Sequence, residues 1–463
     1  MIRNDKWITG QRIPGSGGQD LKCVLYMDDI NIVCTDMASI NRAFILTEQY
    51  GKASGAKLNE NKTQLQLYGP WTASERTQAK VNSNEQKILG IKFDKEGKGE
   101  ENWTEISAKV RQRTGLWKQR DLTLNGKVLI IKAVIIPLFL LASSVFLPSR
   151  KMIRSLERTI FQFLWGSKWE RLKREEMKKP KGKGGMGVPD LYLCLGAHYT
   201  CTHMRVVMTE QAGVKTRAMS YYCMGSYLRK LKLMPSNLRV PVAFQLPPAY
   251  EVIKTFLTHF NLENESKDTL LNQRFLTSVV QARSDPIPVA GLAGGEAEAV
   301  WKGRPGLPNR LLDLSWQVAH GILPVRDVMH SRGMAAKAAC PRSGCGAPET
   351  VRHLLWECSA AIDLWTTAGS QDFPYLPARE VLTAHLVLYG VSQSTAKPEK
   401  LGDEERLTLA AIKDAIWTSR NLLVRNHMQI PPVAVIRMAA ALRTSSGLRA
   451  ASQGHSHKEE SPL

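Results

Sequence analysis

The sequence predicts an α+β protein, in which a few short strands near the start of the chain precede a mainly helical remainder. Three observations support this fold class. Short apolar and β-branched runs flank an acid pair in residues 22–34, which is typical of strands. Apolar residues recur at helical spacing through much of the chain after residue 36. A cluster of cysteine and histidine in residues 340–358 predicts a small zinc-binding motif within the helical part.

The segment 22–34 has the pattern of two strands joined by a tight turn, with Asp28 and Asp29 at the tip. Aspartate is common in turns, so an acid pair alone also fits an ordinary solvated turn. Paired carboxylates are nevertheless the oxygen ligands that Mg²⁺ prefers. Two such ions can hold the attacking and leaving oxygens of a phosphoryl transfer. Asp28 and Asp29 are therefore candidate magnesium ligands.

The residues after the acid pair predict a helix and then another strand. Asp36 or Ser39 is the expected helix cap, and the helix should end near Ser54–Gly55 because glycine is favoured just past a C-terminus. Lys62 lies between this helix and the strand-like residues 64–68. Taken alone, Lys62 is better explained as a solvated turn lysine.

Residues 26–29, Tyr-Met-Asp-Asp, resemble the hallmark motif of reverse transcriptases, and the later motifs keep the order of that family. Residues 54–63 resemble the palm motif that comes after the acid pair, and residues 88–93 resemble the primer-grip hairpin. The helices and glycine-rich segment of residues 96–191 look like the thumb of LINE-type (non-LTR) retrotransposon reverse transcriptases. The fold implied is a truncated polymerase palm hairpin and strands, followed by a mainly α-helical thumb.

The resemblance implies an RNA-directed DNA polymerase with Asp28 and Asp29 as catalytic Mg²⁺ ligands. It also implies that Lys62 lies near the incoming triphosphate and protonates the leaving pyrophosphate. That family needs a third carboxylate from an earlier palm strand, and residues 1–20 are glycine-rich and contain no such strand. We expect a C-terminal fragment of the enzyme, inactive alone, so whether the chain is an enzyme stays open. The alternative is a non-catalytic protein that binds RNA or DNA.

A formal net charge of +21 and a pI near 9.7 favour a polyanionic partner. Basic residues concentrate in residues 150–183, with Trp165 and Trp169 among them. Basic groups beside aromatic rings suit contact with a nucleic-acid backbone and its bases. A solvated helix face is the alternative interpretation. The candidate nucleic-acid-binding residues, for an RNA or DNA template-primer, are Lys168, Arg171, Lys173, Arg174, Lys178, Lys179, Lys181 and Lys183.

The second strong motif is Cys340, Cys345, His353 and Cys358, with the spacing C-x4-C-x7-H-x4-C. Four sulfur and nitrogen ligands suit a structural Zn²⁺ ion, although a chance cluster of buried thiols is the alternative. The block resembles the zinc-binding segment downstream of LINE-type reverse transcriptases, which helps to bind nucleic acid. In that family the first pair is usually Cys-x2-Cys; here Ser343 occupies the second position and Cys345 must replace it.

Residues 128–147 form a nearly unbroken apolar run that is long enough for a membrane span. Lys132 and Pro137 interrupt it, so we expect buried helices bent near Pro137 and no membrane partner. The eight scattered cysteines favour a reducing compartment. We expect an intracellular chain, in the cytoplasm or nucleus and not secreted, with no small-molecule cofactor.

The predicted organisation has six parts, assigned from these motifs and from composition. They are a loop-like N-terminal remnant (1–20), a partial reverse transcriptase palm (21–95), a thumb-like helical region (96–191), a helical region and linker of unknown role (192–309), a C-terminal helical region with the zinc-binding motif (310–443) and a disordered tail (444–463).

Overall fold

The computed structural model describes residues 1–27, 29–59, 61–69, 80–82, 85–209, 212–234, 242–302, 307–391 and 401–456. Within these ranges the chain is mostly helical with a few short strands, which confirms the predicted α+β class.

The strands of the described residues are short and pair only two at a time. Strands β1 and β2, β3 and β4, and β7 and β8 are antiparallel pairs, whereas β5 and β6 are parallel. Their bounds are β1 Gln11–Arg12, β2 Asp20–Leu21, β3 Cys23–Tyr26, β4 Asp29–Ile32, β5 Gln64–Gln66, β6 Lys80–Asn82, β7 Glu85–Ile88 and β8 Ile91–Asp94.

The helices make up most of the described chain after residue 99. Their bounds are α1 Met37–Ser54, α2 Glu100–Lys118, α3 Leu124–Ile130, α4 Pro137–Ser143, α5 Arg150–Trp165, α6 Arg174–Lys178, α7 Leu191–Met208, α8 Val214–Lys230, α9 Pro248–His259, α10 Lys267–Leu271, α11 Gln273–Ala282, α12 Gly294–Lys302, α13 Asn309–Ala319, α14 Arg326–Ser331, α15 Ser359–Ser370, α16 Ala384–Tyr389, α17 Asp403–Asn426 and α18 Pro432–Ser456. Short 3-10 turns cover Ile2–Asn4 and Lys181–Lys183, and π-helical turns cover Ile131–Ile135 and His353–Glu357.

Helix α1 begins and ends where its capping residues predict. The carboxylate of Asp36 accepts a hydrogen bond of 2.7 Å from the backbone N–H of Ser39, which satisfies one of the free amides of the first turn. Gly55 takes the left-handed conformation at φ 75° and donates its N–H back to the Gly51 carbonyl. Both ends of the helix that follows the acid-pair hairpin are thus encoded locally.

The apolar run predicted to bend near Pro137 does change helix type there. Helix α3 passes into the π-helical turn Ile131–Ile135. Pro137 then begins α4, a position at which a helix tolerates proline because the first residues need no N–H for the helical hydrogen bonds. The stretch Leu124–Ser143 is the one helical segment of the described residues long and apolar enough to cross a membrane, with a mean hydropathy of 2.1 and 33% of it buried. A core helix of a soluble protein has the same composition, so this finding leaves the membrane alternative open.

Residues 88–93, which resemble the primer-grip hairpin, lie within a hairpin of the structure. Strands β7 and β8 are joined by Leu89 and Gly90, both at positive φ (48° and 86°), which is the geometry of a two-residue hairpin turn. Gly90 therefore meets a backbone requirement of this turn.

By packing, the described chain divides into two compact units. Unit 1 comprises residues 1–117, 133–160 and 189–282, and unit 2 comprises residues 118–132, 161–188 and 283–463. A core around α7 to α11 fills much of unit 1, and a core around α13 and α15 to α18 fills unit 2. The six predicted domain boundaries stay predictions.

The tail predicted to be disordered from Thr444 is helical as far as Ser456, as the end of α18. Its alanine, leucine and arginine residues are strong helix formers and offset the serines on which the prediction rested. Residues 457–463 lie outside the described residues.

A partly buried histidine in unit 1 gives a prediction for acid stability. The His203 ring lies 4.2 Å from the Tyr199 ring, centroid to centroid, and its Nε2 atom is buried without a hydrogen-bond partner among the described residues. Burial lowers the pKa of His203 from 6.5 to about 4. The unfolded chain therefore takes up this proton first, so we expect stability to fall as the pH drops from 6.5 towards 4, by about 3 kcal/mol in total.

Urea unfolding of the wild type and a His203→Gln variant between pH 7.5 and pH 4 measures this effect. Because the variant cannot titrate at this position, its unfolding free energy should vary less across that window, whatever its absolute stability. Parallel pH profiles for the two proteins would show that His203 is not the titrating group.

Candidate functional site

The first two predicted zinc ligands lie on a small antiparallel loop in residues 338–349. The Cys340 N–H donates a 2.8 Å hydrogen bond to the Ala347 carbonyl and closes the loop. Inside it, the Cys345 N–H donates to the Arg342 carbonyl at 3.2 Å, which turns the chain back. The four residues between the cysteines are therefore accommodated by one extra turn, and both thiols stay on the same loop.

The other two ligands are brought together by a π-helical turn. The chain His353–Glu357 is π-helical, and the Cys358 N–H donates to the His353 carbonyl at 2.8 Å, five residues back. The Thr350 hydroxyl accepts a 2.9 Å hydrogen bond from the His353 N–H and fixes the start of this turn. Cys358 then caps helix α15. An α-helix would direct two residues with this spacing in different directions, whereas the π turn places them side by side.

The four predicted ligand atoms converge. The sulfur atoms of Cys340, Cys345 and Cys358 and a ring nitrogen of His353 all lie within 4.8 Å of one another. The Cys345 Sγ atom is 3.3 Å from His353 Nε2. Zinc binds sulfur at about 2.3 Å and nitrogen at about 2.0 Å in a tetrahedron, so this Cys3His set is compact enough to hold one ion.

The thiols differ in acidity because they share a proton. The Cys340 thiol donates to Cys358, which lowers the pKa of Cys358 to about 5; the Ala360 N–H and the nearby His353 act in the same direction. The same hydrogen bond and burial raise the pKa of Cys340. The group therefore already favours a thiolate, the form that binds metal, and zinc would displace the remaining thiol protons.

A buried ion pair supports the loop that carries the cysteines. Glu349, with no exposed surface, comes shortly after the second cysteine, and its carboxylate accepts hydrogen bonds from Arg420 on α17 at 2.8 and 2.6 Å. The Glu349 carboxylate also accepts a 2.7 Å hydrogen bond from the Arg326 N–H at the start of α14. Sequence reasoning missed Glu349 and expected Arg420 on a polar helix face, although Arg420 is only 5% exposed.

The apolar residues between the ligands were expected to form a small core of their own. Leu354 and Leu355 instead belong to the main core of unit 2, with Trp356 packed partly buried against it. The Trp365 indole N–H donates to the Leu355 carbonyl at 2.9 Å and ties this turn to α15. The ligand thiols themselves pack with Ala360 and Ala361 in a separate small cluster.

The predicted polymerase residues are described only in part. Asp28 lies outside the described residues. Asp29 is exposed and begins β4, paired with Tyr26 across a turn in which Met27 has φ 51°. Lys62 is exposed in a turn, where its N–H donates to the Asn59 side chain at 3.1 Å. In the described part of the chain no hydrogen bond or ion pair joins Lys62 to Asp29, so their catalytic roles stay predictions.

The eight predicted nucleic-acid-binding residues differ in how far they are available. Arg174 is occupied, because both its Nε and Nη2 atoms bond Glu170 and its guanidinium lies 5.0 Å from the Phe161 ring centre. Lys179 donates to the Asp285 carbonyl at 2.9 Å. Lys183 donates to the Ser284 carbonyl.

The remaining residues of this set differ in exposure and in hydrogen bonding. Lys168 and Lys173 are exposed, Lys178 is half-buried, and exposed Lys181 donates to the Asn125 side chain at 2.6 Å. Arg171 is half-buried and donates to the Gln317 side-chain oxygen at 3.2 Å.

Comparison with known proteins gives two family matches and one relative. Residues 5–93 match the reverse transcriptase (RNA-dependent DNA polymerase) family, and residues 293–365 match the family described as zinc-binding in reverse transcriptase. The chain is also 28% identical over 179 residues to the transposon TX1 uncharacterized 149 kDa protein of Xenopus laevis. That similarity covers 36% of this chain and 14% of the relative's length. These matches show that two parts of the chain are similar to reverse transcriptases, and they support Zn²⁺ at the Cys3His cluster.

Proposed function

We propose that the chain is the C-terminal part of a LINE-type reverse transcriptase and that it contributes nucleic-acid binding, without polymerising DNA alone. The observation that carries this proposal is the order of the two family matches, a reverse transcriptase segment followed by a zinc segment of the same enzymes. The similarity to a transposon protein supports a retrotransposon origin. An active enzyme would need Mg²⁺ in addition to the zinc.

Charge and metal chemistry support RNA or DNA as the partner. The net charge of +21 attracts a polyanion, and binding of lysine and arginine to phosphates releases counterions. The Cys3His cluster has Arg342 nearby, which acts on the Cys358 thiol through space. The eight cysteines are all free, which supports an intracellular, reducing location for the chain.

Primer extension tests the catalytic part of the proposal. Purified chain, an RNA template, a DNA primer and Mg²⁺ should give no extension, because the sequence supplies only two of the three carboxylates that the resemblance implies. The matched control is the Asp28→Asn/Asp29→Asn double variant under the same conditions. Extension by the wild type that the double variant lacks would mean that a further carboxylate of this chain completes the site.

A binding series tests the other part. The affinity of wild-type chain for a fluorescent single-stranded RNA, measured from 50 to 300 mM salt, should fall linearly on a log–log plot. The slope should be about −0.7 for each phosphate neutralised. The Asp28→Asn/Asp29→Asn variant should bind as well as the wild type, since it only removes negative charge. Affinity that is undetectable or independent of salt would contradict the proposal.

A further inference from the structure

Three cationic side chains from separate segments of unit 2 come together beside the C-terminus of α5. They are Lys127 on α3, Arg171 in the loop before α6, and Arg332 just after α14. The Arg332 Nη2 atom donates to the Arg171 carbonyl at 3.0 Å. The Lys127 Nζ atom donates to the Leu164 carbonyl at 3.2 Å. Lys127 and Arg332 are far apart in the sequence, so the sequence gives no sign of this cluster.

These cations are held by neutral groups. Arg171 donates to the Gln317 side chain, and Lys127 and Arg332 donate to backbone carbonyls. Among the described residues, no carboxylate forms an ion pair with any of the three. Burial, followed by the neighbouring Arg332, lowers the pKa of Arg171, as expected where like charges crowd in a partly desolvated place.

The acids nearest to this cluster form no ion pair with it among the described residues. Asp313 acts on Lys127 through space, yet its carboxylate already accepts hydrogen bonds from the backbone N–H groups of Leu124 and Asn125 at the start of α3. Asp121 is exposed to solvent. The cluster therefore keeps hydrogen-bond donors and positive charge for an external acceptor.

Two tryptophans adjoin the cluster. The Trp165 ring centre is 5.8 Å from the Arg171 guanidinium, and its indole N–H is buried with no acceptor among the described residues. Trp169, two residues before Arg171, is 74% exposed, and its backbone is held by the Ser167 hydroxyl through bonds of 3.1 and 3.2 Å. An exposed aromatic ring two residues from a cation that has no carboxylate partner among the described residues suits the binding of single-stranded nucleic acids.

We propose that Lys127, Arg171 and Arg332 bind one backbone phosphate of a nucleic-acid strand, while Trp169 stacks on an adjoining base. Guanidinium groups bind phosphate oxygens through two parallel hydrogen bonds, and the lysine adds a point charge. An acidic peptide could bind the three cations through its carboxylates, but it would have no base to stack on Trp169. The proposal rests on the proposed function and narrows it to one site, with Arg171 as its central residue.

The test compares affinities of full-length chains for a fluorescent single-stranded RNA and for inorganic polyphosphate, which has no bases. The site variant is Arg171→Gln/Arg332→Gln, and the matched control is Arg425→Gln/Arg437→Gln, which removes two exposed charges on α17 and α18. We expect the site variant to weaken binding of both probes at least about tenfold and to reduce the salt slope by about one. The control should keep the wild-type slope.

Further variants separate the parts of the site. Trp169→Ala should weaken RNA binding but not polyphosphate binding, and Trp169→Phe should restore the RNA affinity. Arg171→Lys/Arg332→Lys, which keeps the charge, should retain the salt slope. A zinc content equal to that of the wild type shows that each variant is folded.

The outcomes distinguish this inference from the proposed function. Wild-type chain that does not bind RNA would overturn both. Wild-type binding that the Arg171→Gln/Arg332→Gln variant retains, with an unchanged slope, would overturn only the phosphate site. Anionic phospholipid vesicles that bind the wild type and are not displaced by RNA would assign the cluster to a membrane surface and would also overturn the inference.

Discussion

Replacing Cys345 with serine is expected to release the zinc and to unfold the region around residues 338–370. The Cys345 thiol is one of four ligand atoms within 4.8 Å of one another, and it is only half-buried, so serine removes a ligand with little loss of packing. In zinc-finger peptides the binding free energy, about 10–16 kcal/mol, is also folding free energy. Metal analysis after dialysis should give one zinc per wild-type chain and almost none per variant.

Urea unfolding with a chromogenic zinc chelator tracks the same event in the wild type, because zinc appears in solution only when the cluster opens. Stripping the wild-type chain with EDTA should reproduce the stability of the Cys345→Ser variant. Cys223→Ser, a half-buried free thiol in unit 1, is the matched control and should keep its zinc. A stripped chain as stable as the zinc-loaded chain would show that the cluster is a set of buried thiols.

Spacing alone was enough to group the four cysteine and histidine residues, because ligand type and separation along the chain restrict a metal site strongly. It could not reveal how the C-x4-C and H-x4-C separations close. The loop needs the Cys345 N–H to turn back on the Arg342 carbonyl, and the second half needs a π-helical turn. Periodicity favours an α-helix at such positions, since π turns are rare.

Local signals were equally informative at α1 and at the hairpin of β3 and β4. Asp36 and Gly55 mark the helix ends through their own hydrogen bonds and backbone angles, so nearby residues suffice to predict them. At Gly90 the sequence shows a glycine within the residues that resemble the primer-grip hairpin, and only the structure shows that the turn requires its positive φ.

Interactions between distant segments were beyond prediction. Composition identified a basic segment, yet the bonds of Arg174 to Glu170 and the contact of Arg171 with Arg332 decide which cations remain available. Helical periodicity likewise placed Arg420 on a polar face of α17. Its partner, Glu349, is 71 residues away, and no local pattern indicates that a charged pair occupies the core.

The Glu349–Arg420 pair is expected to be the most sensitive polar contact of unit 2. Glu349→Gln keeps the shape and can still accept the Arg326 N–H, but it leaves the 5% exposed Arg420 without its counter-charge. Removing one partner of a buried pair costs about 3–5 kcal/mol, because the other charge remains desolvated and uncompensated. Urea unfolding of the zinc-loaded chain, followed by zinc release, should show a loss of this size.

The double variant Glu349→Gln/Arg420→Met decides whether charge or shape is responsible. It leaves no buried charge, so it should recover much of the stability lost in Glu349→Gln, a coupling that only directly interacting residues show. Glu298→Gln, which breaks the exposed pair with Lys302, is the control and should leave the midpoint nearly unchanged. If the loss of unfolding free energy in the double variant equals the sum of the losses for the two single substitutions, the two side chains act separately. Arg420 would then not connect the cysteine loop to α17.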